Sequence, residues 1–142
     1  MTTHLPIASQ DAACDAVVDR TDLGTAETEG KIRVYSGSQP TSANDAPTGT
    51  LLAEVDLDNP AFGDSGAVTD GVASLLGVPL SAAGITDGVA GWFRIVNRDL
   101  ATVVDGEVGT TDAEMIVNTT SVGTGVTFEI LSLTVTMPSG EA

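Results

Sequence analysis

The sequence predicts an all-β protein, an antiparallel β-sandwich or jelly-roll-like barrel with one short N-terminal helix. Three observations predict it. From Gly30 onward, apolar residues recur mostly at every second position, in short runs rich in Val, Ile, Leu and Thr. Those runs are separated by Gly, Asp, Asn and Pro clusters that carry turn chemistry. Helical spacing is clear only before Gly24. The chain therefore divides into an N-terminal arm and short helix, 1–29, and a β-sandwich domain, 30–142.

Residues 1–8 read as an arm. Ser9 is the expected N-cap and Asp11 suits a first turn. Ala12, Ala13, Ala16, Val17 and Arg20 follow at helical spacing, and Leu23-Gly24 supplies a stop. The helix is expected over 9–22, lying on a sheet or on a neighbouring subunit because its apolar face is small. Lys31-Ile32-Arg33-Val34-Tyr35 alternates as a strand. Residues 36–49 are turn chemistry throughout, a long loop. Leu51–Leu57 is the next strand, ended by Asp58-Asn59-Pro60. A strand follows over Val68–Leu76, with Gly71 marking a bulge or an edge. Leu80–Gly88 is ambiguous.

Gly91–Val96 is the strongest strand. Trp92, Arg94 and Val96 share one face, Phe93 and Ile95 the other, and two largely apolar faces predict a central position. Asn97-Arg98-Asp99-Leu100 turns the chain into a hairpin with Ala101–Gly106. Glu114–Asn118 is another strand, and Val126–Met137 the longest. In that last run the apolar phase flips between Ile130 and Leu131. A one-residue bulge would do this, as would a strand crossing from one sheet to another.

The chain has 142 residues, five basic and twenty acidic, for a formal charge of −15. One domain with its own core is the expectation at this length. Nucleic-acid affinity comes largely from Lys and Arg displacing counterions. Arg20, Lys31, Arg33, Arg94 and Arg98 are too few and too scattered for that, and an anionic membrane surface is disfavoured likewise. One cysteine, Cys14, excludes an intramolecular disulfide. It lies among small residues and is expected to pack like Ala or Val. No basic stretch followed by an apolar one marks a secretory signal, and no apolar run reaches the roughly 18 residues of a spanning helix.

No catalytic constellation stands out, and no cofactor is implied. His4 and Cys14 are the only His and Cys, both near the N-terminus. Asp64, Asp70, Asp87, Asp99, Asp105, Glu107 and Asp112 could pair as acid and base, but no spacing singles out a pair. Asp70-Gly71, Asp87-Gly88 and Asp105-Gly106 place an oxygen ligand beside a flexible residue, as calcium loops do. They are equally common turn dipeptides, and the turn reading outweighs the metal reading. Gly123-Thr124-Gly125 feeds a strand and is no phosphate loop. Trp92 beside Phe93 is read as core rather than as a sugar platform.

One ordered set of motifs goes further. Ile32-Arg33-Val34-Tyr35-Ser36-Gly37-Ser38-Gln39-Pro40 is followed by Thr50-Leu51-Leu52-Ala53, Ala61-Phe62-Gly63 and Gly91-Trp92-Phe93-Arg94. Val104-Asp105-Gly106-Glu107-Val108-Gly109 and Leu133-Thr134-Val135-Thr136-Met137-Pro138 complete it. Over residues 10–138 the chain resembles small virion structural proteins of tailed bacteriophages, though it is more acidic than typical members. The resemblance implies a virion component and no enzyme. The expected role is a capsid decoration (cement) protein on the outer surface of the head. It would be a homo-oligomer, a trimer, bound to the major capsid protein, with no nucleic-acid or membrane partner. Leu5, Ile7, Val17 and Arg20 are the expected capsid or subunit contacts. A head–tail connector or tail-associated component, or a glycan- or receptor-binding fibre module, is the alternative.

Overall fold

A computed structural model describes residues 3–67 and 69–137. The helix expected over 9–22 is α1, Ile7–Val18, continued by a 3-10 turn over Asp19–Asp22. Its N-cap is Pro6, not Ser9. The Pro6 carbonyl accepts the N–H groups of Ser9 and Gln10, so Ser9 already lies in the first turn. Proline's fixed φ serves the entry to a helix without a side-chain cap. The stop is where the sequence put it: Gly24 takes φ +117°. The buried stripe is Cys14, Val18 and then Thr21, at i, i+4 and i+7, not the Ala12–Ala16 face.

Nine strands follow: β1 Lys31–Ser36, β2 Leu51–Asp56, β3 Val72–Ser74, β4 Leu80–Ala83, β5 Gly88–Val96, β6 Thr102–Gly109, β7 Met115–Val117, β8 Ser121–Val122 and β9 Thr127–Thr136. They join one mixed sheet in the order β2-β1-β5-β6-β7-β9-β3, with β4 on β9 and β8 on β5. All pairings are antiparallel except β6 with β7. The all-β class with a short N-terminal helix is thus what the chain adopts, its sheet curled into a half-barrel. The N–H of Ile85, just past β4, donates to the Leu52 carbonyl of β2 at 2.7 Å and draws the two ends of the curl together.

The concave face holds the core. Ile32 and Val34 of β1, Phe93 and Ile95 of β5, Met115 and Val117 of β7, and Phe128, Ile130 and Leu133 of β9 meet there, with Cys14 and Val18 of α1 against them. With few aromatics, aliphatic burial at about 25 cal/mol per Å² carries most of the cohesion. β5 is central, flanked by β1 and β6. The expected hairpin lies between β5 and β6. Its turn puts Leu100 at φ 66°, held by the Asn97 side-chain oxygen, which accepts from the N–H groups of Asp99 and Ala101. The strand expected over Val68–Leu76 shortens to β3 with a bridge from Leu75 to Phe62. Val68 itself, and Pro138 after the last strand, lie outside the described residues.

The phase flip in the last strand is a bulge. Val117 pairs with Ile130 and Ile116 with Ser132, so Leu131 is the extra residue. On its other side β9 changes partner, from β4 up to Ile130 to β3 from Thr134 on. The bulge reading of the flip therefore holds, whereas the crossing to a second sheet does not, because β9 changes partner within one sheet. Leu131 is 44% exposed, while Ile130 and Leu133 are buried. Leu133→Ala is expected to cost about 2–5 kcal/mol, and Leu131→Ala less than about 0.5 kcal/mol. Urea unfolding of the two variants checks this, and equal losses would place Leu131 inside the core.

Candidate functional site

The convex face of the sheet carries a row of charge across four strands. Glu54 of β2 faces Arg33 of β1, Arg33 faces Arg94 of β5, and Arg94 faces Asp105 of β6. Two opposed arginines would repel, but each has its own carboxylate on the far side. Arg33 Nε donates to Glu54 Oε2 at 2.9 Å. Arg94 donates from Nε and a terminal nitrogen to the two Asp105 oxygens, at 2.7 and 2.9 Å. That bidentate pair is 5% exposed at both side chains. Asp105 raises the Arg94 pKa further, against the opposing effect of burial. Lys31 pairs with Asp56 one step along the row, and that hydrogen bond raises the Lys31 pKa.

Beside the row, Trp92 stacks on Tyr35 at a centroid distance of 4.6 Å. The Arg94 guanidinium carbon lies 5.4 Å from the Trp92 ring centre, a cation–π arrangement. The long loop between β1 and β2 folds over this cluster, and its Thr48 carbonyl accepts from Trp92 Nε1 at 3.2 Å. Trp92 is buried, as expected, yet it belongs to the convex face rather than to the main core. On the concave side Phe93 lies across Gly106, where a Cβ would stand 2.6 Å from the ring's Cζ. The Gly-Trp-Phe-Arg and Asp-Gly motifs are therefore one interlocked unit.

The carboxylates that could have formed an acid–base pair are dispersed. Asp99 accepts the N–H groups of Thr25 and Ala26 at 2.8 and 3.0 Å, and these bonds lower its pKa. Asp87 accepts the Thr124 N–H at 2.7 Å and is lowered likewise. Asp64, Asp70, Glu107 and Asp112 are exposed. Sequence reasoning missed the acids of the helix. Asp11 accepts the Gly71 N–H, Asp15 the Ser65 N–H and Asp22 the Ala61 N–H, at 2.6, 2.6 and 3.0 Å. Their spacing along α1 and its 3-10 extension ties the backbone at Ala61, Ser65 and Gly71 to the helix. Burial pushes the Asp22 carboxyl up, against the bond from Ala61. It also pushes up the Cys14 thiol, beside Asp15 and Asp11. Among the described residues no three His, Cys, Asp or Glu side chains are placed to hold a metal ion together.

The four expected contact residues do not form one spot. Ile7 is 55% exposed and Arg20 is exposed, while Leu5 and Val17 are half-buried. Ile7 and Arg20 stand at opposite ends of the helical segment, on the order of 20 Å apart at 1.5 Å per residue. Val17 and Arg20 are neighbours, one turn apart.

A break in the sheet forms a concavity. β7 fits between β6 and β9 and pairs with both, but only with Val108 and Gly109 of β6. Past Glu114, whose carbonyl accepts the Thr134 N–H at 3.1 Å, nothing described fills the space between the strands. A cavity of about 310 Å³ opens there, lined by Phe93, Val104, Asp105, Glu114 and Thr134–Thr136. Comparison with protein-family models, with curated proteins and with solved structures finds no match for this chain.

Arg94→Ala strands a buried carboxylate and is expected to cost about 3–5 kcal/mol, whereas Arg94→Met with Asp105→Leu recovers most of that loss. Denaturant unfolding reads both, and a single-variant loss below about 1 kcal/mol, the value of an exposed pair, would place Asp105 in water. Asp99 gives a pH signature. Its folded pKa lies below the unfolded one, so its contribution is complete above about pH 4 and is lost as pH falls through the folded value. The difference in Tm between wild type and Asp99→Ala is therefore expected to be constant at neutral pH and to shrink below about pH 4. A difference that grows on acidification would reverse the assigned sign.

Proposed function

We propose that this chain is a structural component of a tailed-phage virion, a capsid decoration protein bound to the outer surface of the head. The observation that carries the reading is where the resemblance motifs fall. Arg33 and Tyr35, Trp92 and Arg94, and Asp105 and Gly106 lie on three adjacent strands, β1, β5 and β6, and lock to one another. The motif residues build a scaffold, in which Glu54 and Asp105 pair with Arg33 and Arg94. A module whose central charged groups are committed to one another suits a structural role.

The charge supports the outside of the head. At −15 the chain repels packaged DNA, and its partner is the major capsid protein. A module that binds only the assembled shell stabilises that shell by mass action. Copies act together as a homo-oligomer, with Ile7, Val17 and Arg20 exposed or half-exposed along the helix as contact groups. The glycan-module alternative loses its platform, because Trp92 is 0% exposed, stacked on Tyr35 beneath Thr48.

Virions made without this protein are expected to release DNA at a lower temperature than complete particles, by several degrees in a heating series followed with a DNA-binding dye. Unchanged release together with lost adsorption or lost tails would overturn the head assignment and favour the connector or fibre.

A further inference from the structure

The break between β6 and β9 has the shape of a missing strand. Directly beyond it, β7 spans the same two neighbours, so the facing edges are two strand spacings apart, roughly 9–10 Å. Among the described residues, β6 from Thr102 to Glu107 pairs only with β5 on its other side. β9 from Thr134 to Thr136 pairs with β3 on its far side, and on the near side makes only the Thr134–Glu114 bond. Facing edges with open backbone groups are a template for an added strand. Phe93 and Val104 give the break an apolar floor, and the exposed Glu114 gives it an acidic border, while Asp105 is already paired with Arg94.

We infer that the break is an acceptor site for the N-terminal arm of a second copy of this chain, which enters as a β-strand along Thr3-His4-Leu5. Charge selects the occupant. The border repels acidic segments, and in a chain with twenty acidic residues the first ten positions hold none. Thr3 and Leu5 fall on one face of an extended segment, suited to the apolar floor. His4 falls on the other. Pro6 lacks an N–H and ends the pairing.

The arm does not enter the break in its own molecule: Thr3–Pro6 form no strand and none of them lines the cavity. The arm is rooted in α1, and Gln10 and Cys14 bond the carbonyls of Met137 and Val135, on the β3 side of β9. Arms passed between copies close a ring or a two-fold pair. This contact joins copies to each other and holds whether or not the shell reading does.

The test mixes two full-length variants, Leu5→Cys and Thr136→Cys, under mild oxidation. A mixed disulfide between the two chains is expected on a non-reducing gel, because a bridge needs Cα atoms within about 7 Å. Sedimentation velocity of the unsubstituted chain is expected to show an oligomer, and Leu5→Asp, outside the core, to shift it to monomer with an unchanged circular-dichroism spectrum. The inference is overturned if both thiols react with a maleimide yet no mixed disulfide forms. It is also overturned if a bridge forms only with both cysteines in one chain, if the unsubstituted chain is monomeric, or if Leu5→Asp leaves the oligomer intact.

Discussion

Burying Arg94 is the constraint from which the rest of the convex face follows. A guanidinium under a strand-crossing loop has lost its water, and only a carboxylate held at both ends can replace it. Asp105 does so because β6 is the hairpin partner of β5 and its register puts residue 105 opposite residue 94. The hairpin turn at Asn97–Ala101, tied by one side chain, therefore sets the register on which the ion pair depends. The same register sets Gly106 opposite Phe93 on the other face, leaving the aromatic ring room to lie flat in the core. One strand pairing thus satisfies the two faces of β5 by unlike means, charge above and packing below.

The acidic excess fixes how the other polar groups are arranged. With so few cations, most carboxylates cannot find a positive side chain, and clustered ones would repel. Dispersal onto backbone N–H groups solves both difficulties, since each carboxylate gains a donor at a distance from the others. Asp11, Asp15, Asp22, Asp87 and Asp99 all adopt this role. Four of the five fasten the helix or the segment after it to distant loops. The helix is held both by its narrow apolar stripe and by carboxylates reaching across to Ala61, Ser65 and Gly71. Acidity here is part of the fold's stitching as well as of its solubility.

Legibility in the sequence followed the range of the interaction. The central place of β5, the 97–100 turn and the irregularity at Leu131 are encoded in a few adjacent residues, and all could be read. The helix end at Gly24 could be read for the same reason. Its start could not, because Pro6 competes with the better-known cap Ser9 and wins by geometry alone. Trp92 was legible as buried but not as belonging to the convex face. What covers it is a loop carbonyl more than forty positions away in the chain. The parallel β6–β7 pair, joined through only residues 110–114, defies the usual need for a long crossover. No local pattern announces it, and the break in the sheet is its by-product.

That by-product matters because every other edge near the centre of the molecule is covered. β5 is paired on both sides, and β9 has partners along its length on the far side. Around β5 the charged side chains are tied to one another and Trp92 to a loop carbonyl, which leaves few groups there with which to hold anything else. The open backbone beside Phe93 and Val104 is the exception. Backbone hydrogen bonds on an extended edge are directional, and alternation along the strand fixes which side chains enter. A strand edge offers such specificity without wide apolar patches, which would promote aggregation.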